Sequence, residues 1–200
     1  LDYYTSTIFE VMGKDKNMKT VFIFHGTGGS PEGNWFPWLK EKLEKKGLRV
    51  IIPRFPTPDG QSLEAWFKIL DQYQKEINED TIFIGHSLGG MFLLKVLERL
   101  DQPVQAAFFV SSPVGVKPIK YYESDYAFAH FIFDWLNIIK KAKYFTVYHS
   151  DNDQYVCLGN GKKLANQLGI TLTFIPKAGH LNAESGWTKF DKLLQDINKV

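Results

Sequence analysis

A short β-branched and apolar run, Thr81-Ile82-Phe83-Ile84, leads straight into Gly85-His86-Ser87-Leu88-Gly89-Gly90 and from there into Met91-Phe92-Leu93-Leu94-Lys95-Val96-Leu97. The order reads strand, sharp turn, helix. A chain that swings from a strand into a helix through one residue strains that residue's backbone and leaves no room for side chains two positions to either side. Glycine at 85 and 89 meets that demand and leaves Ser87 at the apex of the turn.

The same alternation fills the rest of the chain. Strands are predicted at Thr20 to Phe24, Arg49 to Ile52, Thr81 to Ile84, Val104 to Val110, Tyr144 to Tyr148 and Thr171 to Ile175, because apolar, β-branched runs of this length suit strands buried in a parallel sheet. Helical periodicity lies between them, near Trp35 to Lys46, Leu63 to Ile77, Leu88 to Arg99, Phe128 to Lys141, Leu158 to Leu168 and Ala183 to Asn198. Gly47 reads as a helix stop and Ser62 as a helix start. The proline-rich stretch from Pro53 to Gly60 can continue neither element, so it is a loop. The fold class is therefore α/β in three layers, a mostly parallel sheet of about six strands with helices on both faces. Right-handed crossovers then put every strand-to-helix loop at one edge of the sheet.

Two hundred residues are enough to bury one sizeable core, and the expected organisation is one domain over residues 18–200 with an N-terminal extension of unreadable role over 1–17. With 24 basic and 22 acidic residues the net charge is only +2, and the lysines near Lys40 to Lys46 interleave with glutamates. Neither a nucleic-acid partner nor a membrane surface is expected from that balance. Cys157 is the only cysteine, which excludes an internal disulfide and fits a cytoplasmic address.

A serine hydroxyl becomes a nucleophile when a base takes its proton, and the usual base is a histidine oriented by a carboxylate. His180 follows the last predicted strand, in Gly179-His180-Leu181-Asn182, and Asp153 follows the one before it, in His149-Ser150-Asp151-Asn152-Asp153. Both loops open at the edge where the turn presents Ser87, so the three are the candidate catalytic group. Asp151 competes with Asp153 for the acid role, since spacing does not separate two residues of one loop. Backbone amides of Thr27, in the glycine-bearing loop His25 to Ser30, and of Leu88 are the candidate oxyanion donors. That loop lacks the lysine of a P-loop and the spacing of a dinucleotide site. His25 and His86 are read as braces for the loops. Trp35 and Phe36 are candidate substrate-binding residues on an acyl pocket, and no metal-ligand spacing or cofactor motif is present.

These motifs resemble the small serine hydrolases typified by retinoblastoma-binding protein 9 and its bacterial relatives. The shared residues are His25-Gly26, Asn34-Trp35-Phe36-Pro37-Trp38-Leu39, Phe55-Pro56 with Trp66, Gly85 to Gly90, Asp134-Trp135, His149 to Val156 and Gly179 to Asn182. The resemblance implies an α/β-hydrolase core, a Ser87-Asp153-His180 triad and a small-molecule ester or amide substrate; the 112–130 stretch is itself too short for more than a minimal lid, and no cofactor is expected. Its Asp-x-x-Val pattern falls on Asp153 and Val156, favouring that aspartate. Cys157 stands where relatives often carry proline, and the L-x-C-x-E motif tied to retinoblastoma binding is missing. A lapsed hydrolase acting as a scaffold and an acyltransferase are the rival readings.

Overall fold

In the computed structural model, which describes residues 19–200, six strands form one sheet in the order β2-β1-β3-β4-β5-β6. They are β1 (Thr20–Phe24), β2 (Arg49–Ile51), β3 (Ile82–His86), β4 (Val104–Val110), β5 (Ala142–His149) and β6 (Thr173–Phe174), and every neighbouring pair is parallel. Seven helices accompany them: α1 (Phe36–Glu44), α2 (Leu63–Leu70), α3 (Leu88–Arg99), α4 (Tyr122–Ala129), α5 (Trp135–Ile138), α6 (Leu158–Gln167) and α7 (Asp191–Ile197). The expected extension over 1–17 lies outside the described residues.

Alternate side chains of a strand face opposite sides of a sheet, and the core divides accordingly. Phe22, Phe24, Phe83, Ala107 and Phe109 pack with residues of α2 to α6, whereas Val21, Ile23, Ile82, Ile84 and Phe108 pack with α1 and α7. Each fully buried side chain of this size stabilises the fold by about 1.5–3 kcal/mol. The continuous apolar runs in the sequence are thus strands covered on both faces. Helix α3 is buried along most of its circumference, because the sheet lies under it while α4 and α5 pack against it.

Three of the expected helices are shortened or broken in the structure. The hydroxyl of Ser62 accepts from the Ala65 amide at 3.1 Å and starts α2, but the stretch Asp71–Glu76 tightens into a 3-10 turn before Ile77. The expected Phe128 to Lys141 helix is two pieces: His130 and Phe131 take φ of +54° and +50°, ending α4, and the Asp134 carboxylate then caps α5 by accepting from the Asn137 amide. At the end of the chain, Gly186 (φ +87°) closes a 3-10 turn over Ala183–Ser185, and α7 begins only at Asp191.

The segment between β4 and β5 forms a small cap that is tied down at two places. Glu98 of α3 accepts from the Asp134 amide (2.6 Å), and its carbonyl accepts from the Asn137 side chain (3.1 Å). At the other end, the Lys120 amide donates to the Tyr155 carbonyl (2.7 Å), Ile119 bridges to Val156, and the Cys157 amide donates to the Pro118 carbonyl (3.2 Å). A proline at 157 lacks that last donor.

Asp125 on α4 is 4% exposed, and its Oδ1 has no hydrogen-bond partner among the described residues. Burial pushes its carboxyl up to about 7 from 3.8. Folded chains therefore keep a proton that unfolded chains have lost across the window between those values, so stability falls as pH rises through it and levels off above. Substituting Asp125→Asn is expected to flatten that slope and to raise the pH 8 stability by on the order of 3 kcal/mol relative to wild type. Urea unfolding of both proteins at pH 5 and pH 8 checks this.

Candidate active site

Ser87 occupies the single residue between β3 and α3, with φ +55° and ψ −127°. That conformation is unfavourable for a residue with a side chain and persists because its surroundings dictate it. The Ser87 amide donates to the Val110 carbonyl of β4 at 2.9 Å, and the Ser87 carbonyl accepts from Gly90 at 2.9 Å. A Cβ on Gly85 would lie 2.5 Å from the Gly90 Cα, and one on Gly89 would lie 2.2 Å from the Phe24 carbonyl oxygen. Both distances are far inside contact, so the two glycines are there because helix and strand close on each other around Ser87.

The loops after β5 and β6 are laced together residue by residue. Asp151 Oδ1 accepts from the Lys177 amide (2.8 Å), Ser150 Oγ from the Ala178 amide (2.9 Å) and Asn152 Oδ1 from the Gly179 amide (2.8 Å). Asp153 completes the series with its side chain: His180 Nδ1 donates to it at 2.8 and 2.9 Å. Four consecutive residues thereby hold four consecutive residues. The other two donors to Asp153 are the amides of Tyr155 (2.8 Å) and Val156 (2.9 Å). Burial pushes the Asp153 carboxyl up, but the His180 hydrogen bond and charge, together with these two amides, outweigh it and hold the group below its ordinary range. The geometry separates the two aspartates: Asp153 meets the imidazole, while Asp151 accepts from the Lys177 amide of the neighbouring loop.

His180 Nε2, the ring nitrogen turned away from Asp153, has no hydrogen-bond partner among the described residues. Its ring and Ser87 both border a cavity of about 310 Å³, which Gly26 to Gly29, Asn34, Tyr121, Tyr155 and Asn182 also line. The amides of Thr27 and Leu88 donate to no acceptor among the described residues. Thr27 lies on the cavity wall, and Leu88 directly follows Ser87 at the start of α3. A Cβ on Gly26 would meet the Ser87 side chain at 2.7 Å, so the loop after β1 passes directly against it. His25 and His86 act as braces: His25 Nδ1 donates to the Gly26 carbonyl (3.0 Å), its Nε2 accepts from the Phe55 amide (3.1 Å), and His86 Nε2 donates to the His180 carbonyl (3.0 Å). Burial first, then the neighbouring His180, push His86 down to about 3, which keeps it neutral.

Trp35 and Phe36 do not wall the cavity as the sequence predicts. Both are fully buried beneath it, packed edge to face at 4.7 Å, and Trp35 Nε1 donates to the Leu181 carbonyl at 2.9 Å, supporting the histidine loop from below. The helix they were expected to begin starts at Phe36 and turns both rings into the core. The residues that reach the cavity instead include Asn34, Tyr121, Tyr155 and Asn182. Asn34 carries a signal, an asparagine at φ +51° just before the helix, and its side chain accepts from the Ala183 amide at 3.0 Å. Tyr155 packs on the His180 ring at 4.8 Å, with its hydroxyl hydrogen-bonded to Glu184. Tyr121 gives no sequence signal, because it arrives through the cap. Among the described residues no three His, Cys, Asp or Glu side chains gather into a group able to hold a metal.

The serine hydrolase family pattern matches residues 21–199, nearly the whole described chain. The chain belongs to that family. YdeN of Bacillus subtilis (strain 168) is 33% identical over 170 residues, covering 85% of this chain and 90% of YdeN. The serine hydrolase RBBP9 of Rattus norvegicus is 23% identical over 186 residues, covering 89% and 93%. The crystal structure of the B. subtilis ydeN gene product superposes with a TM-score of 0.82 at 30% identity, over 91% of this chain and 98% of that one. Est1E of Butyrivibrio proteoclasticus, seen with ferulic acid bound, superposes with a TM-score of 0.65 at 17% identity over 90% of each chain. The architecture is the α/β-hydrolase fold, as the family resemblance implied.

The lacing makes a prediction of its own. Ser150→Ala removes the acceptor of a buried amide and is expected to destabilise the protein by about 1–3 kcal/mol in urea unfolding. Asp151→Ala, at a more exposed position, is expected to cost less than half of that.

Proposed function

We propose that this protein is a cofactor-independent serine hydrolase that cleaves small carboxylic esters, or the related thioesters and amides, through an acyl-enzyme on Ser87. The single observation that carries the reading is the pairing of His180 Nδ1 with both oxygens of Asp153, beside a strained serine on the same cavity. With Nδ1 committed as a donor, the neutral imidazole has its acceptor lone pair on Nε2.

Ser87 Oγ attacks the carbonyl carbon while His180 Nε2 takes the hydroxyl proton. Asp153, kept ionised by its three donors, orients the ring and stabilises the imidazolium. The carbonyl π pair moves onto oxygen, where the amides of Thr27 and Leu88 receive the charge; one such donor is worth roughly 10²-fold to 10³-fold in rate. The tetrahedral adduct collapses as the leaving alcohol, thiol or amine takes the proton from His180. Water then repeats the sequence and releases the acid. The cavity of about 310 Å³ is at the small end of ligand sites. Est1E with its bound ferulic acid supports a carboxylic-acid-derived substrate for this fold.

An activated-serine probe of the fluorophosphonate class is expected to add one adduct to the intact mass and none to Ser87→Ala. No adduct on the wild type would favour the scaffold reading. On a short-chain p-nitrophenyl ester, Asp153→Asn is expected to lower kcat by about 10⁴-fold with the fold intact by circular dichroism, since the amide favours the wrong tautomer. Full activity in either variant removes the assignment.

A further inference from the structure

Among the described residues, not one aliphatic side chain lines the cavity beside Ser87. Every residue on its wall is a glycine or carries a side-chain nitrogen or oxygen, and none is a carboxylic acid. Ligand pockets are ordinarily walled mostly by apolar groups, which favour the burial of alkyl chain. Here an alkyl chain would cover polar groups and leave them without partners, which is unfavourable each time.

Two of these wall residues are turned so that only their donors are left. Asn34 Oδ1 accepts from the Ala183 amide at 3.0 Å, and Asn182 Oδ1 accepts from the Ser185 amide at 3.0 Å. A backbone N–H only donates, so it fixes which end of each side-chain amide is oxygen and which is nitrogen. Nδ2 of both residues has no hydrogen-bond partner among the described residues, and neither nitrogen is sealed from solvent. The two are neighbours as well: the Asn34 bond fastens the loop after β1 to the residue that follows Asn182, and both half-buried residues border the one cavity with Ser87. Charge at this site does not favour either sign. Lys120 Nζ lies 4.3 Å from the centre of the Tyr155 ring, and Glu184 accepts from the hydroxyl of the same tyrosine. The group that suits the two free N–H sets is therefore a neutral acceptor.

We propose that Asn34 and Asn182 are specificity-determining residues whose side-chain N–H groups bind an acceptor oxygen on the acyl part of the substrate, so that small oxygenated acyl esters are preferred to plain alkyl ones. The acyl part stays on Ser87 through both half-reactions, so a fixed pair of donors serves it in each. The identity of the scissile bond rests on the hydrolytic reading of Ser87; the preference rests on the two asparagines. An alkyl group of the same size leaves both donors covered and unpaired, which is how a polar site rejects an apolar analogue.

The test compares the p-nitrophenyl esters of levulinic acid and isocaproic acid, which differ by a carbonyl oxygen against a methyl group, with each kcat/KM divided by the hydroxide-catalysed rate of the same ester. The levulinate is expected to lead by about tenfold or more. Asn34→Asp and Asn182→Asp keep an acceptor for the Ala183 and Ser185 amides while losing the N–H groups, and aspartate tolerates the positive φ at position 34. The lead is expected to shrink in each single variant and to vanish in the double variant, with circular dichroism unchanged. Because a ratio of two substrates is read, any effect of the new carboxylates on His180 cancels. A smaller lead in the wild type, or an undiminished lead in the double variant, overturns the proposal and leaves hydrolysis at Ser87 standing. If the wild type cleaves neither ester, the hydrolytic reading fails, and the affinities of Ser87→Ala for the two methyl esters in ligand-observed NMR decide the proposal: a tenfold preference for the levulinate upholds it, and equal affinity overturns it.

Discussion

Bringing the Asp153 carboxylate onto the His180 imidazole requires that two loops, each of which has its own conformational freedom, be held in one relative register. Here that register is set by hydrogen bonds from the side chains of residues 150–152 to the amides of residues 177–179, with the Asp153–His180 contact as the fourth in line. The first three satisfy backbone donors, and the one from Ala178 would otherwise be left unpaired in the protein interior. Because those three donors are main-chain groups, the register they set does not depend on side-chain rotamers of the histidine loop. The pairing of imidazole and carboxylate is then the end of a series and not an isolated contact.

The sheet supplies the other half of the geometry. Since all strands run parallel, the loops after β1, β3, β5 and β6 open along one edge, and the order β2-β1-β3-β4-β5-β6 puts Ser87 over the strand beside β1. The loop carrying Thr27 therefore adjoins the serine without any long excursion. Strain at Ser87 is compensated by its amide bond to β4 and by the two glycine contacts that leave no alternative path for the backbone. Buried helices and buried strands pack from both sides, so relaxing the turn would open the core.

Much of this was legible because it is encoded in local signals. Apolar runs marked all six strands, glycines marked the turn at Ser87, and the strand-end positions of Asp153 and His180 pointed to their meeting. The aspartate choice needed more: spacing left Asp151 and Asp153 open, and only the three-dimensional path of the loop assigns one to the imidazole and the other to the Lys177 amide. Trp35 and Phe36 were misread because an aromatic at a helix start near the active edge has the same sequence appearance whether it faces the cavity or the sheet. The cap was misread for a related reason. Its aromatic residues continue across His130 and Phe131, and hydrophobic periodicity does not register a left-handed break at non-glycine residues. Tyr121 was invisible, since its place on the cavity comes from non-local pairing of the cap with the acid loop.

That pairing has a mechanical consequence. Residues 118–120 and 155–157 form a short antiparallel splice whose far strand includes Val156, one of the amides that grips Asp153. The cap is thereby connected to the carboxylate within a span of four residues. Cys157 adds to this connection by keeping an N–H for the Pro118 carbonyl, which a proline there would lack. The cap and the Asp153–His180 pair are consequently joined by an unbroken run of hydrogen bonds.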